Sequence, residues 1–286
     1  MFWKKKKKSP PCEPVDQTEA PSQAPAPAAA VPVGRLISYR IGNLQGLGKR
    51  QRQEDAFCFV NAMDVTAMRE EGLLAIMADG MGGMADGKLA SETVTASLRA
   101  DFQALDREGD LSGQLREAVF RAGSRVFEQL RGDGGSTVVV CLFFRQQLWF
   151  ASVGDSALFL LRDGELLRLN REQNVLNEGY LDAICAGRTD PEPARSDPEK
   201  DALTQFLGMD GLEEVDCLLR PMKLHDGDCF LLCSDGVADM IPDELLLACM
   251  QQPAPAQICA ALEEAVLNRN NPYQDNYTAL VVQCGY

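Results

Sequence analysis

Short apolar runs and segments of helical period alternate along the chain from residue 34 onward, and their order sets the first expectation of architecture. "RLISYRI" and "DAFCFVNA" read as strands, followed by "GLLAIMA" as a buried one. Residues 87–105 read as a helix, and 111–130 as a second, with Leu115, Ala118, Val119, Ala122, Val126 and Leu130 at helical spacing. Four strands then follow in "STVVVCLFF", "LWFASV", "ALFLL" and "LLRL", with Asp163-Gly164 supplying hairpin chemistry between the last two. A polar region from Asn170 to Asp201 interrupts the pattern. Beyond it come "CFLLC", two helices between Pro242 and Asn270, and a closing strand, "YTALVV". Helix pairs separated by hairpin-linked strands predict an α+β sandwich, antiparallel sheets covered by helices, in a single domain spanning 34–286.

Residues 1–33 stand apart as an expected disordered tail. "MFWKKKKKS" precedes "EAPSQAPAPAAAVPV", which is too poor in bulky apolar groups to build a core. Lys4, Lys5, Lys6, Lys7 and Lys8 read either as a solvated charge run or as a weak tether to anionic membrane, with Phe2 and Trp3 at the interface. Each lysine near such a surface is worth about 1 kcal/mol. No lipidation motif accompanies them.

Charge narrows the function classes. The chain carries a formal charge of −14; its first 33 residues hold five lysines and three acids, so the body carries −16. That excludes a general electrostatic footprint for nucleic acid and suits a protein that gathers cations. Of ten cysteines, Cys141, Cys229, Cys233 and Cys284 lie in apolar runs, no C-x-x-C pair occurs, and His225 is the single histidine. The reading is reduced thiols in a cytoplasmic protein. No apolar run approaches the roughly 18 residues of a membrane span, and no signal-peptide core follows the lysines.

Seven Asp-Gly pairs occur, so any one of them is first a turn. Asp79 and Asp235 differ, because each follows an apolar run ("LLAIMADG", "CFLLCSDG") and precedes a helical segment. A carboxylate at the mouth of a buried strand is partly desolvated, which costs free energy unless a cation or hydrogen bonds compensate. Asp155 ends "LWFASVGD", Asp275 precedes the last strand in "YQDNYTALVV", and Asp55 opens a strand in "RQEDAFCF". Each alone reads as a turn or cap. Should they converge, their repulsion calls for metal ions, and an oxygen-only ligand set points to Mg²⁺ or Mn²⁺ rather than Zn²⁺. Gly80, Gly82 and Gly83 would then let the backbone approach an ion, with the Gly80 carbonyl available as a ligand.

A rival reading exists. "GGMADGKL", Gly82 to Leu89, fits the G-x-x-x-x-G-K of a phosphate-cradling loop between strand and helix. It fails where Leu89 replaces the hydroxyl residue that would hold Mg²⁺, and Asp79 and Asp86 put negative charge where polyphosphate would lie.

Taken in order, "KRQRQEDAF", "ADGMGGMADGKLAS", "GSTVVV", "VGDSALFLLRDGELLRL", "LTQFLGMDG", "FLLCSDGVADMIPDEL" and "DNYTALVV" resemble the 2C-type, metal-dependent protein phosphatases, and a bacterial-like member in particular. The resemblance runs from about residue 34 to the C-terminus. It implies a four-layer αββα sandwich with a metal centre at one end, and hydrolysis of phosphoserine and phosphothreonine in proteins by a hydroxide shared between two Mn²⁺ or Mg²⁺ ions. It further implies that Asp79 bridges the ions and that Asp55, Asp235, Asp275 and the Gly80 carbonyl complete their shells. Asp155 with Asp235 would hold a third, weaker ion. Glu54 would orient the water, and Arg50 would grip the substrate phosphate with a guanidinium fork suited to a dianion. The implied partners are phosphorylated proteins and a counterpart serine/threonine kinase.

The departures are specific. Met81 stands where some relatives carry a histidine, which implies a bound water as proton donor to the leaving group. His225, in "KLHDGD", reads as structural. Gln53 replaces a commoner Asn, Ala157 replaces an Arg, and "LNREQN" replaces Thr-x-Asp-His at the entry to the 170–201 segment, the counterpart of a mobile flap. No cysteine sits in a Cys-x5-Arg loop; from Cys217 the nearest arginine is three residues on, at Arg220. Two other readings stay open: a catalytically silent phosphoprotein-binding module on the same fold, and a phosphatase of small phosphoesters.

Overall fold

A computed structural model describes residues 37–82, 86–188, 190 and 192–286 of the protein. The expected tail with its five lysines, and Gly83, lie outside the described residues. The first elements are β1 (Ser38–Gly46), β2 (Ala56–Val60), α1 (Val65–Glu70), β3 (Leu73–Ala78), β4 (Gly80–Met81), α2 (Asp86–Gln103) and α3 (Leu111–Leu130). A strand-rich middle holds β5 (Gly135–Ser136), β6 (Val138–Phe144), β7 (Gln147–Val153), β8 (Ala157–Arg162) and β9 (Glu165–Arg168). Next come α4 (Val175–Cys185), α5 (Glu192–Arg195), β10 (Asp216–Cys217), β11 (Met222–Lys223) and β12 (Cys229–Cys233). The last are α6 (Asp235–Ala238), α7 (Asp243–Met250), α8 (Pro255–Asn268) and β13 (Tyr277–Gly285).

Besides a separate two-stranded pairing of β4 with β5, the strands form two large antiparallel sheets. One has the order β1-β13-β12-β8-β9; the other runs β10-β7-β6-β3-β2, with β11 also paired to β7. β3 explains its own sequence. Leu74, Ile76 and Ala78 pack beneath α2 and α3, whereas Leu73, Ala75 and Met77 face the other sheet. With both faces covered, a strand has no position for a polar residue, and all six of its side chains are buried. The second sheet repeats the arrangement. Leu158, Leu160, Phe230, Leu232, Leu280 and Val282 meet β3 and β6 in the centre, while Phe159, Leu231, Ala279 and Val281 lie under α7 and α8. Phe143 and Phe230 join the sheets edge to face, ring centroids 5.2 Å apart. The layers are therefore helix pair, sheet, sheet, helix pair: the four-layer αββα sandwich of the α+β class.

Four helices depart from the sequence pattern. α1 was not evident, being six residues with none buried, held by Asp64 Oδ1 accepting from the Thr66 and Ala67 amides at 2.9 and 3.0 Å. The polar 170–201 region contains α4 and α5, and neither buries a residue, so no apolar stripe announced them. α4 is set by its cap instead, the Asn174 side chain accepting from the Asn177 amide at 2.9 Å. α2 begins at Asp86 and ends at Gln103, two residues short of expectation. At Asp163-Gly164 both residues have positive φ, 53° and 83°, and the hairpin turn is of the primed kind.

Nine cysteines among the described residues are unpaired, and burial pushes the thiol of Cys229 up to about 12 and that of Cys141 higher. The six that are buried behave as small core hydrophobes. Among the described residues no helix is long and apolar enough to cross a membrane.

Candidate metal centre

Strand register brings the acids to one end of the sandwich. In one sheet Ala56 pairs with Ala78, so Asp55 and Asp79 are the next residues beyond the last rung. In the other, Cys233 sits between Ala157 and Ala279, with Asp235 two residues past that rung. β7 ends at Val153, just before Asp155, and β13 starts at Tyr277, just after Asp275.

The "GSTVVV" stretch holds Asp79 in place. Thr137 Oγ1 accepts from the Asp79 amide at 3.2 Å, while the Ser136 hydroxyl and the Thr137 amide donate to the Asp79 carbonyl at 2.9 and 2.8 Å. Thr137 is itself bonded to Ser156 at 2.7 Å. Asp55 is buried, and its Oδ2 accepts from Thr278 Oγ1 at 2.6 Å and Ser234 Oγ at 3.2 Å. These two hydroxyls were not singled out in the sequence, although both flank acids that were.

The Asp79 carboxyl lies within hydrogen-bonding reach of both Asp55 and Asp235. Two carboxylates at that distance need a proton or a cation between them. Burial pushes Asp79 well above the usual carboxylate range, and the charges of Asp55, Asp235 and Asp155 push the same way. Burial likewise lifts Asp55 to about 6, partly opposed by the Thr278, Asp79 and Ser234 hydrogen bonds. Asp235 rises through burial and then the charge of Asp275. Asp155 stands on the flank of this group, raised to about 7 by burial and by Asp235. Beside it is Asp239, which sequence reasoning missed. Burial, Asp235 and Glu172 raise it to about 6. Its signal was positional, four residues after Asp235 and so one helical turn away.

Asp235 Oδ1 is buried and has no hydrogen-bond donor, the condition a cation relieves. The donors are all oxygens, which suits Mg²⁺ or Mn²⁺. Among the described residues no three His, Cys, Asp or Glu side chains close into a single ion shell. The acids meet in pairs, as suits ions that take one or two carboxylates and keep several waters. The residues fit the ions.

The glycines have a different first reason from the one expected. A side chain on Gly80 would meet the Gly87 carbonyl oxygen at 2.1 Å and that of Glu54 at 2.5 Å; one on Gly87 would meet the Gly80 carbonyl at 2.9 Å. Gly82, at φ +155°, is crowded by Gly134 and the Gly87 amide, both at 3.3 Å. These glycines let the start of α2 lie directly on β4, so protein contacts alone already require the bare backbone. In the same segment Lys88 is ion-paired with Glu92 at 3.2 Å, and no phosphate-cradling role is supported.

Arg50 forms an ion pair with Asp275, both partly exposed. That hydrogen bond raises the guanidinium above its ordinary value, and the charges of Asp275, Glu54 and Asp235 add to it. The Glu54 amide donates to Asn276 Oδ1 at 2.8 Å. Asp55, buried, with Asp79 and Asp235, half-buried, thus forms the heart of the group, with Asp275, Arg50 and Glu54 at its rim and Asp155 with Asp239 on a flank. His225 is remote, its amide donating to Asp228 Oδ2 at 2.7 Å in the turn before β12.

A family model described as protein phosphatase 2C matches residues 39–179. The protein phosphatase PhpP of Streptococcus pneumoniae is 31% identical over 176 residues, covering 59% of this chain and 68% of that protein. The chain belongs to the protein phosphatase 2C family. The serine/threonine protein phosphatase PstP of Mycobacterium tuberculosis is 34% identical over 213 residues, 73% of this chain. That match spans only 40% of the length of PstP. A crystal structure of the catalytic domain of PstP in complex with two manganese ions superposes with a TM-score of 0.69 at 29% identity, covering 88% of this chain and 100% of that one.

Proposed function

We propose that the chain is a metal-dependent phosphatase that hydrolyses phosphoserine and phosphothreonine in proteins. The reading rests above all on buried carboxyls from separate sheet ends meeting around Asp79, with Asp235 Oδ1 left without a donor. Asp79, Asp55, Asp235, Asp275 and the Gly80 carbonyl would hold two Mn²⁺ or Mg²⁺ ions, and Asp155 with Asp235 would hold a third, weaker one. Bound there, the ions supply Lewis acidity, which lowers the pKa of water and neutralises phosphoryl oxygens.

The chain's own residues do the rest. Arg50 exchanges Asp275 for the substrate phosphate and holds its oxygens with two parallel N–H donors. Glu54 orients the attacking water by accepting a hydrogen bond from it. The sequence holds one histidine, and it is distant, so no imidazole protonates the leaving alkoxide. The expected partners are phosphorylated proteins and a kinase that phosphorylates them, in the cytoplasm. For residues 1–33 the reading is a weak anionic-membrane contact through the lysine run, which is wrong if deleting residues 1–30 leaves binding to phosphatidylserine vesicles unchanged.

The deciding experiment is hydrolysis of p-nitrophenyl phosphate and of a phosphothreonine peptide with Mn²⁺, repeated in EDTA and with Asp235→Asn. Turnover that needs Mn²⁺ and is lost in the variant supports the reading. Turnover that persists in EDTA refutes it, Mn²⁺ binding without turnover favours a silent phosphoprotein-binding module, and preference for free sugar phosphates favours a small-phosphoester enzyme.

A further inference from the structure

Residues 47–54, between β1 and β2, carry Arg50 and Glu54, yet Leu47 and 49–52 are exposed, so no apolar packing fixes the segment. Hydrogen bonds to one buried residue do. The Asn276 Nδ2 donates to the carbonyls of Leu47 and Arg52, both at 3.0 Å, and its Oδ1 accepts from the Glu54 amide at 2.8 Å. One carboxamide thereby ties both ends of the segment, with every polar atom satisfied. The middle is closed by the Lys49 amide donating to the Gln274 carbonyl at 2.7 Å. Gly48, at φ +61°, lies so close that a side chain there would meet the Asp275 carbonyl at 2.2 Å. Residues 274–276 also face the acids: the Asn276 amide donates to Asp275 Oδ1 at 2.8 Å, and Gln274 Nε2 donates to the Gly236 carbonyl at 3.0 Å, next to Asp235.

We infer that Asn276 is a positioning residue that sets Arg50 and Glu54 beside the acidic centre by clamping the 47–54 segment to the strap carrying Asp275. The kinetic part of this inference rests on the phosphatase reading; the structural part does not. Aspartate at 276 would keep the shape but turn an acceptor toward two carbonyls, reversing the clamp.

The test pairs amide hydrogen exchange on chelated protein with kinetics on Mn²⁺-loaded protein. In Asn276→Asp the amides of Lys49 and Arg50 should exchange about tenfold faster, with those of β12 and β13 unchanged. The KM for a phosphothreonine peptide should rise about tenfold in the otherwise natural chain and less than about twofold in the Arg50→Ala background, because a residue acting through Arg50 has nothing left to position there. Unchanged exchange, or an equal rise of KM in both backgrounds, overturns the inference. Should Asn276→Asp fold poorly, Asn276→Ser, which cannot span the two carbonyls, is read in the same way. Absence of hydrolysis by the natural chain would sink the phosphatase reading, while the exchange measurement would still decide for or against Asn276.

Discussion

The guanidinium of Arg50 is ion-paired with the carboxylate of Asp275, 225 residues away in sequence. The pair joins a cation suited to a phosphate dianion with an acid expected to bind a metal, so loading of the centre and capture of substrate each displace the same contact. A divalent ion that draws on Asp275 frees the fork. Arg50→Ala should therefore raise KM for a phosphopeptide by about 10–100-fold, the loss of one or two charge-assisted hydrogen bonds. Arg50→Lys should recover only part of this, because an ammonium presents no planar fork. Steady-state kinetics at saturating Mn²⁺ checks both.

Asp79 sits between two other carboxyls, and without metal that arrangement is unfavourable. Asp79→Asn removes one charge and adds an N–H₂ that can donate to Asp55 or Asp235. The chelated variant should melt roughly 3–6 °C higher than the natural chain, while calorimetric Mn²⁺ affinity falls by at least about 100-fold. A variant that lost stability in EDTA would contradict the repulsion described here.

Burial of these acids, with their mutual repulsion added, makes the stability of the chelated protein depend on pH with a definite sign. Asp55 and Asp239 titrate near 6 and Asp155 near 7, all above the ordinary carboxylate value of 3.8. The folded state therefore holds more protons than the unfolded state between about pH 4 and 7, and stability falls as pH rises through that window. In EDTA the thermal midpoint should be higher at pH 5 than at pH 7.5. Added Mn²⁺ should reverse the order, since ions bind the deprotonated acids and compete with protons below about pH 6.

Backbone contact between Gly80 and Gly87 gives a prediction separate from charge. An alanine at Gly80 would place a methyl 2.1 Å from the Gly87 carbonyl, and either α2 or β4 must shift. Gly80→Ala should cost about 3 kcal/mol or more in denaturant unfolding and weaken Mn²⁺ binding by displacing Asp79. Gly164→Ala is the control. Its φ is +83° with nothing within 4 Å, so it should cost only about 1–2 kcal/mol and leave metal binding alone.

Much of this was legible in the sequence, and the reasons are physical. "LLAIMA" announced a strand buried on both faces, and the Leu115-to-Leu130 spacing announced α3, because burial imposes a period that composition records. The aspartates stood out where a carboxylate followed such a run. Ser234 and Thr278, which hold Asp55, were silent, since a hydroxyl next to an apolar run has many uses. Asn276 was quoted only as part of a motif; its importance lies in reaching three backbone groups from a distant loop, which no local pattern encodes. α4 and α5 were missed because their helicity comes from caps and turns rather than from an apolar face.

The absence of any buried side chain in α4 and α5 has an evolutionary consequence. Mutations there leave the sandwich interior unchanged, whereas moving an acid such as Asp79 means re-registering strands locked between layers. A lineage of such chains can vary the surface of α4 and α5 freely while keeping the packing that holds its acids in register.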